Sequence, residues 1–156
     1  MKNIDVKKLV IALIIPFLAA AVGSGFTTSK IQSWYAMLDK PFFSPPNWLF
    51  GPVWTILYIM MGVSLYLVWM KKPLNNKIFK WFWIQLGLNT LWSILFFGME
   101  KPGLALIEIL ILWVSIRMTM KNFAVVGSTP VRLLYPYLAW VSFATILNVA
   151  IWWLNR

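Results

Sequence analysis

Between Leu9 and Ser29 the chain runs the length of a membrane span without a charged residue, and it does so again from Pro41 to Met70, Trp81 to Met99 and Leu133 to Asn155. A helix crossing the hydrocarbon layer needs about 20 mostly apolar residues, because each residue rises about 1.5 Å. A fifth stretch, Gly103 to Met120, meets the length but carries Glu108 and Arg117. The runs predict an all-α integral membrane protein: one transmembrane domain, 1–156, of five helices near 9–29, 50–70, 80–99, 103–121 and 132–154. Short connectors make neighbouring helices antiparallel within a bundle. Lys2, Lys7 and Lys8 before an apolar run, with Ala19-Ala20-Ala21 behind it, resemble a secretory signal. The run is longer than a signal core, which favours a true first span.

Composition agrees. With 61% hydrophobic residues in 156, a soluble fold could not hide its apolar surface. The net charge of +10 sits between the apolar runs rather than in one basic face, which argues against nucleic acid as a partner. Ten cations (Lys2, Lys7, Lys8, Lys71, Lys72, Lys77, Lys80, Arg117, Lys121, Arg132) fall on the N-terminal side of a five-span topology, against Lys30, Lys40, Lys101 and Arg156 on the other. The positive-inside rule then predicts a cytoplasmic N-terminus and an external C-terminus. There is no Cys and no His, which removes disulfides, thiolate chemistry, the usual zinc sites and the usual catalytic triads; no metal site is expected.

Two features point to a site. The connector from Ser33 to Trp48 is aromatic and holds Pro41, Pro45 and Pro46, so it is expected to fold over something apolar, either as a lid on the bundle or as an interfacial segment. Of the 11 Trp, Trp48, Trp69, Trp81, Trp83, Trp152 and Trp153 lie near span ends, where indoles anchor at the interface. Trp54, Trp92, Trp113 and Trp140 lie deeper. Helical spacing puts Gln85, Asn89, Trp92 and Phe96 on one face, Trp54, Tyr58 and Met61 on a second, and Trp140, Ala144, Leu147 and Asn148 on a third. Such faces serve either as interhelical hydrogen-bonded glue or as the wall of a pocket, and spacing leaves both open. Ala19/Gly23 and Ala21/Gly25 allow close helix approach within the bundle or between protomers, and Pro16 is expected to kink the first helix. Glu108, five residues past Gly103, is expected to snorkel or to pair with a cation such as Lys101.

The blocks Trp34-Tyr35, Lys40-Pro41, Pro45-Pro46-Asn47-Trp48, Val53-Trp54, Leu88-Asn89, Trp92-Ser93, Phe96-Phe97, Pro136 to Trp140, Phe143-Ala144 and Leu147-Asn148 resemble the translocator protein family, also called tryptophan-rich sensory proteins or peripheral-type benzodiazepine receptors. The resemblance covers nearly the whole chain. It implies a five-helix bundle, often a homodimer, whose cavity binds protoporphyrin IX and isoquinoline or benzodiazepine drugs. Carried over, the lining residues are Tyr35, Pro45, Trp54, Asn89, Trp92, Phe96, Trp140, Ala144 and Leu147, beside Tyr58 and Asn148 from spacing. Light- and oxygen-dependent porphyrin breakdown, described for bacterial relatives, would fall to Trp54 and Trp140; no cofactor is required, and porphyrin is the ligand. Without His or Cys, metal-free porphyrin suits the chain better than haem. Porphyrin or lipophile transport, and a regulatory role with an incidental cavity, are the alternatives. The Tyr-containing C-terminal pattern tied to cholesterol is absent from Leu147 to Trp153. A bacterial plasma membrane is the expected location.

Overall fold

The computed structural model describes residues 4–71 and 76–156; Lys2 and Lys72 of the charge tally lie outside them. Every regular element among the described residues is helical. Helix α1 (Val6–Lys30) starts at Asp5, whose carboxylate accepts the Lys8 backbone N–H at 3.1 Å, and ends on Lys30, favourably placed against the helix dipole. A short α2 (Trp34–Met37) follows, and then Pro45-Pro46 hold the chain extended up to α3 (Asn47–Met70). A 3₁₀ turn, Asn76–Phe79, leads into α4 (Lys80–Ser93). After Pro102 at its first position comes α5 (Pro102–Ala124), and α6 (Ser128–Arg132) and α7 (Tyr135–Leu154) complete the chain.

Among the described residues, four helical stretches are long and apolar enough to cross a membrane: Val6–Lys30, Asn47–Met70, Pro102–Ala124 and Ser128–Leu154. The last is broken at Leu133–Leu134, which separates α6 from α7. The stretch expected at 80–99 differs in kind. Its α-helical part is 14 residues, and it continues as a five-residue π turn, Ile94–Gly98, closed by the Met99 N–H donating to the Ile94 carbonyl at 2.8 Å. Beyond it Glu100 takes φ 56°, unusual without glycine, while its carboxylate holds Lys30 at 2.7 Å. Apolar pattern does not distinguish a π turn from an α turn, which is why the sequence reads as one uniform helix there.

The helices pack in the order α3, α1, α4, α5, α7, with α6 resting on α3 and α5. At the α1–α3 crossing Gly62 is in the wall: a Cβ there would lie 2.9 Å from the Ala12 carbonyl oxygen and 2.9 Å from Leu13 Cα. Pro16 lies inside α1 and has no N–H to give to that Ala12 carbonyl, one turn earlier. Met61, Leu65, Phe82, Ile116, Phe123 and Tyr137 fill the core, Phe82 stacked on Phe123 with centroids 5.9 Å apart. The outer faces are apolar too. Val10, Ile14, Leu18 and Val22 form an exposed stripe on α1, and Ile107, Leu110, Ile111 and Val114 another on α5. Side chains spaced this way on the outside are stable against lipid, not water.

Candidate ligand-binding site

The ring of helices leaves a cavity of about 650 Å³ whose walls come from α1, α3, α4 with its π turn, and α7. That is within the roughly 300–1,000 Å³ of small-molecule sites. Trp54 and Tyr58 of α3 stack at 5.3 Å, and Trp92 and Phe96 of α4 and the π turn stack at 5.0 Å. Trp140 of α7 packs edge-on against Phe50 at 6.1 Å, with Ala144, Leu147 and Asn148 further along its helix. The stacked pairs Trp54/Tyr58 and Trp92/Phe96 each sit four residues apart, so each forms a continuous aromatic face.

Of the residues singled out in the sequence, Tyr35, Trp54, Tyr58, Trp92, Phe96, Trp140, Ala144, Leu147 and Asn148 line the cavity; Pro45 and Asn89 do not. Pro45 belongs to the extended entry to α3, and Asn47 and Trp48 just beyond it reach the cavity instead. Asn89 sits one layer behind the wall. Its Oδ1 accepts the Tyr58 hydroxyl at 2.7 Å, its amide donates to Tyr137 Oη at 3.1 Å, and Tyr137 in turn donates to Gln85 Oε1 at 2.9 Å. This chain ties α3, α4 and α7 together beneath the cavity. Asn148 does both jobs: it lines the cavity, accepts the Trp92 indole N–H at 3.1 Å and donates to the Pro102 carbonyl at 2.8 Å. Trp113, grouped with the deep tryptophans by sequence, faces outward and donates to Ser142 at 2.9 Å.

Spacing alone missed the α1 wall. Phe17, Ala20, Gly23, Ser24 and Thr27 line the cavity, and so does Trp48, placed at the interface from sequence. The stripe Ala20, Ser24, Thr27, Thr28 at intervals of three and four was the available signal; the small residues there read as packing sites. Gly23 is both, since a Cβ on it would also meet Ser93 Oγ at 3.2 Å. The cavity is less polar than its residue list. Ser24, Thr27, Thr28 and Thr55 each donate to a carbonyl of their own helix. Among the described residues, none that lines the cavity is charged. The indole N–H groups of Trp54 and Trp140 have no protein acceptor among the described residues.

The connector is tied to the C-terminal end of α7. Asn155 Oδ1 accepts the Asp39 N–H at 2.9 Å, and its amide donates back to the Asp39 carbonyl at 2.9 Å. Tyr35 is 2% exposed, wedged against Phe97 at 5.6 Å, with Lys40 Nζ 4.8 Å above its ring. Burial pushes its phenol above the usual tyrosine range, an effect partly opposed by the Ser44 hydroxyl. Glu108 corrects the reading made from sequence. It is 5% exposed, and neither carboxylate oxygen has a hydrogen-bond partner, so it neither snorkels nor pairs. It faces inward on the same side of α5 as Ala105, Ile109 and Leu112, which places it in the packed interior rather than at the cavity. Among the described residues no cluster of acidic side chains could hold a metal.

The family model described as TspO/MBR matches residues 12–154. The chain belongs to the TspO/MBR family. Within it, the chain is 44% identical to the tryptophan-rich protein TspO of Archaeoglobus fulgidus over 152 residues, covering 97% of this chain and 99% of the relative. It is 48% identical to the tryptophan-rich protein TspO of Chlorobaculum tepidum over 137 residues, 85% and 86% of the two chains. Against the translocator protein of Homo sapiens identity is 41% over 143 residues, 88% and 83%. TspO/MBR membership together with the apolar outer faces makes the chain an integral membrane protein.

Proposed function

We propose that this TspO/MBR protein is a membrane receptor that takes a tetrapyrrole, protoporphyrin IX foremost, or a flat drug of the benzodiazepine or isoquinoline class into the cavity. The observation carrying this is the cavity of about 650 Å³ with its two stacked aromatic pairs and no charged lining residue. A planar macrocycle is held there by ring stacking, and unpaired Trp54 and Trp140 N–H groups offer it donors. Porphyrin carboxylates would stay at the mouth, near Lys30 and Lys40. Lys80 to Gly98, helical throughout, spans roughly 28 Å at 1.5 Å per residue and serves as the fifth membrane crossing. The connector then acts as a lid, with Tyr35 as its inner surface. The basic end faces the cytoplasm, and the working form is a homodimer. Trp54 and Trp140 are positioned to quench or reduce an excited porphyrin, so light-driven breakdown of the bound macrocycle is included in the proposal.

The test is a titration of purified protein with protoporphyrin IX, followed by porphyrin absorbance and tryptophan fluorescence. Saturable quenching, shifted to tenfold or more higher porphyrin concentration in Ala144→Phe, is expected; quenching that never saturates in the parent refutes binding. Illumination of the complex separates chemistry from binding. Bleaching faster than free porphyrin in detergent, slowed in Trp54→Phe and Trp140→Phe, is expected, and bleaching at the free rate limits the role to binding.

A further inference from the structure

At the end of the bundle away from the cavity mouth, Ile15, Leu65, Trp69, Phe79 and Trp83 line a second, apolar groove of about 170 Å³. Leu65 forms its buried floor, while Trp83 is 50% exposed on the outer face of α4. The groove therefore opens to the hydrocarbon beside the helices. The same end is basic. Lys8 Nζ lies 5.9 Å from the Trp69 ring centroid, directly at a groove wall, and Lys80, which follows the lining residue Phe79, has its Nζ 5.8 Å from the ring of Trp81 outside the groove. Lys7 and Lys71 belong to the same end, at the start of α1 and the end of α3. The only acid near them among the described residues is Asp5, 3.4 Å from Lys8. One carboxylate cannot neutralise four ammonium groups.

An apolar slot open to lipid and a cationic rim at its membrane-surface end match the two parts of one molecule. We infer that this groove is a binding site for an anionic phospholipid, one acyl chain lying against Trp69 and Trp83 and the headgroup phosphate held by Lys8 and Lys80. The slot is too small for the macrocycle proposed for the main cavity and accommodates part of a single chain. Lys8 and Lys80 reach the interface with their stems along the indoles, as long cationic side chains do beside apolar surface. Tryptophans at this depth are favoured neighbours of headgroups in any case. What distinguishes the groove is the concave apolar floor joined to a fixed cation.

The test reconstitutes the full chain in phosphatidylcholine vesicles doped equally with either phosphatidylglycerol or phosphatidylcholine brominated on the acyl chains. Bromine quenches only indoles it touches. Brominated phosphatidylglycerol is expected to quench more strongly, with a preference of roughly fivefold for each lysine engaged. The excess should disappear in Trp69→Phe/Trp83→Phe, fall in Lys8→Gln/Lys80→Gln, survive in Lys8→Arg, and decline as salt is raised on the unmodified protein. Equal quenching by the two lipids overturns the proposal. So does an excess that persists without Trp69 and Trp83, which would put the lipid elsewhere. Loss of the excess on adding inorganic phosphate at constant ionic strength would instead mark a free-anion site and equally overturn it.

Discussion

The Tyr58 hydroxyl donates to Asn89 Oδ1 at 2.7 Å, joining the cavity floor on α3 to a buried amide on α4. Asn89 also holds Tyr137 of α7. In a membrane interior no water replaces these bonds. Asn89→Leu is therefore expected to leave two buried hydroxyls without that partner and to cost about 1–3 kcal/mol, whereas Tyr58→Phe, which removes its own donor, costs less. Thermal unfolding of the two variants in one detergent measures the difference. A smaller loss in Asn89→Leu than in Tyr58→Phe would contradict the relay.

Gly62 permits the α1–α3 crossing at its present distance, with Ala12 O and Leu13 Cα both 2.9 Å from the position a Cβ would take. Both are backbone atoms and cannot yield by rotation. Gly62→Ala should destabilise by about 1–3 kcal/mol through overpacking. Gly25 has nothing within 4 Å of its Cβ position, so Gly25→Ala serves as the matched control and should be neutral or slightly stabilising. Unfolding midpoints of the pair decide the point.

Glu108 is buried with both carboxylate oxygens unpartnered. Leucine has a similar volume and leaves no polar atom unpaired there, so Glu108→Leu is expected to raise stability, by roughly 1 kcal/mol or more. Glu108→Lys places a longer cation in the same packed site and should prevent folding. A Leu variant less stable than the parent would reveal a polar partner for Glu108.

Ala144 lines the cavity on the Trp140 face of α7. Ala144→Phe fills space between the aromatic walls and should weaken binding of a flat ligand tenfold or more, about 1.4 kcal/mol. Ile146→Phe, one turn face away and 60% exposed, should leave affinity unchanged. Equilibrium titration with protoporphyrin IX compares them.

Tyr35 carries the pH dependence of the connector. Its phenol is held above the usual range by burial, so the neutral form is the one the folded protein favours. The resulting stabilisation is fully present below the unfolded tyrosine value, near 10, and is lost as pH rises through the higher folded value. Stability between about pH 9 and 11 should therefore fall less steeply in Tyr35→Phe than in the parent, measured by unfolding across that range.

That Trp92 and Phe96 share one helix face, and Trp140, Ala144 and Leu147 another, was legible in the sequence, because both sets follow from 3.6 residues per turn. The apolar runs likewise announced the helices, though the π turn at Ile94–Gly98 left no mark in hydropathy. Whether Asn89 and Asn148 were glue or lining was undecidable from spacing: one proved to lie behind the wall and the other to do both.

By itself, the sequence determined a membrane-embedded helical chain, the side chains sharing each helix face, and the exclusion of thiol and histidine chemistry. Tertiary structure decided which faces meet. Periodicity acts within one helix and carries no information on its neighbour, so only the ring order α3, α1, α4, α5, α7 could turn the small and hydroxylated stripe of α1 into a cavity wall. The same order withdrew Asn89 behind Tyr58, enclosed Glu108 without a partner, and gathered Ile15, Leu65 and Trp83 from three helices into a second groove.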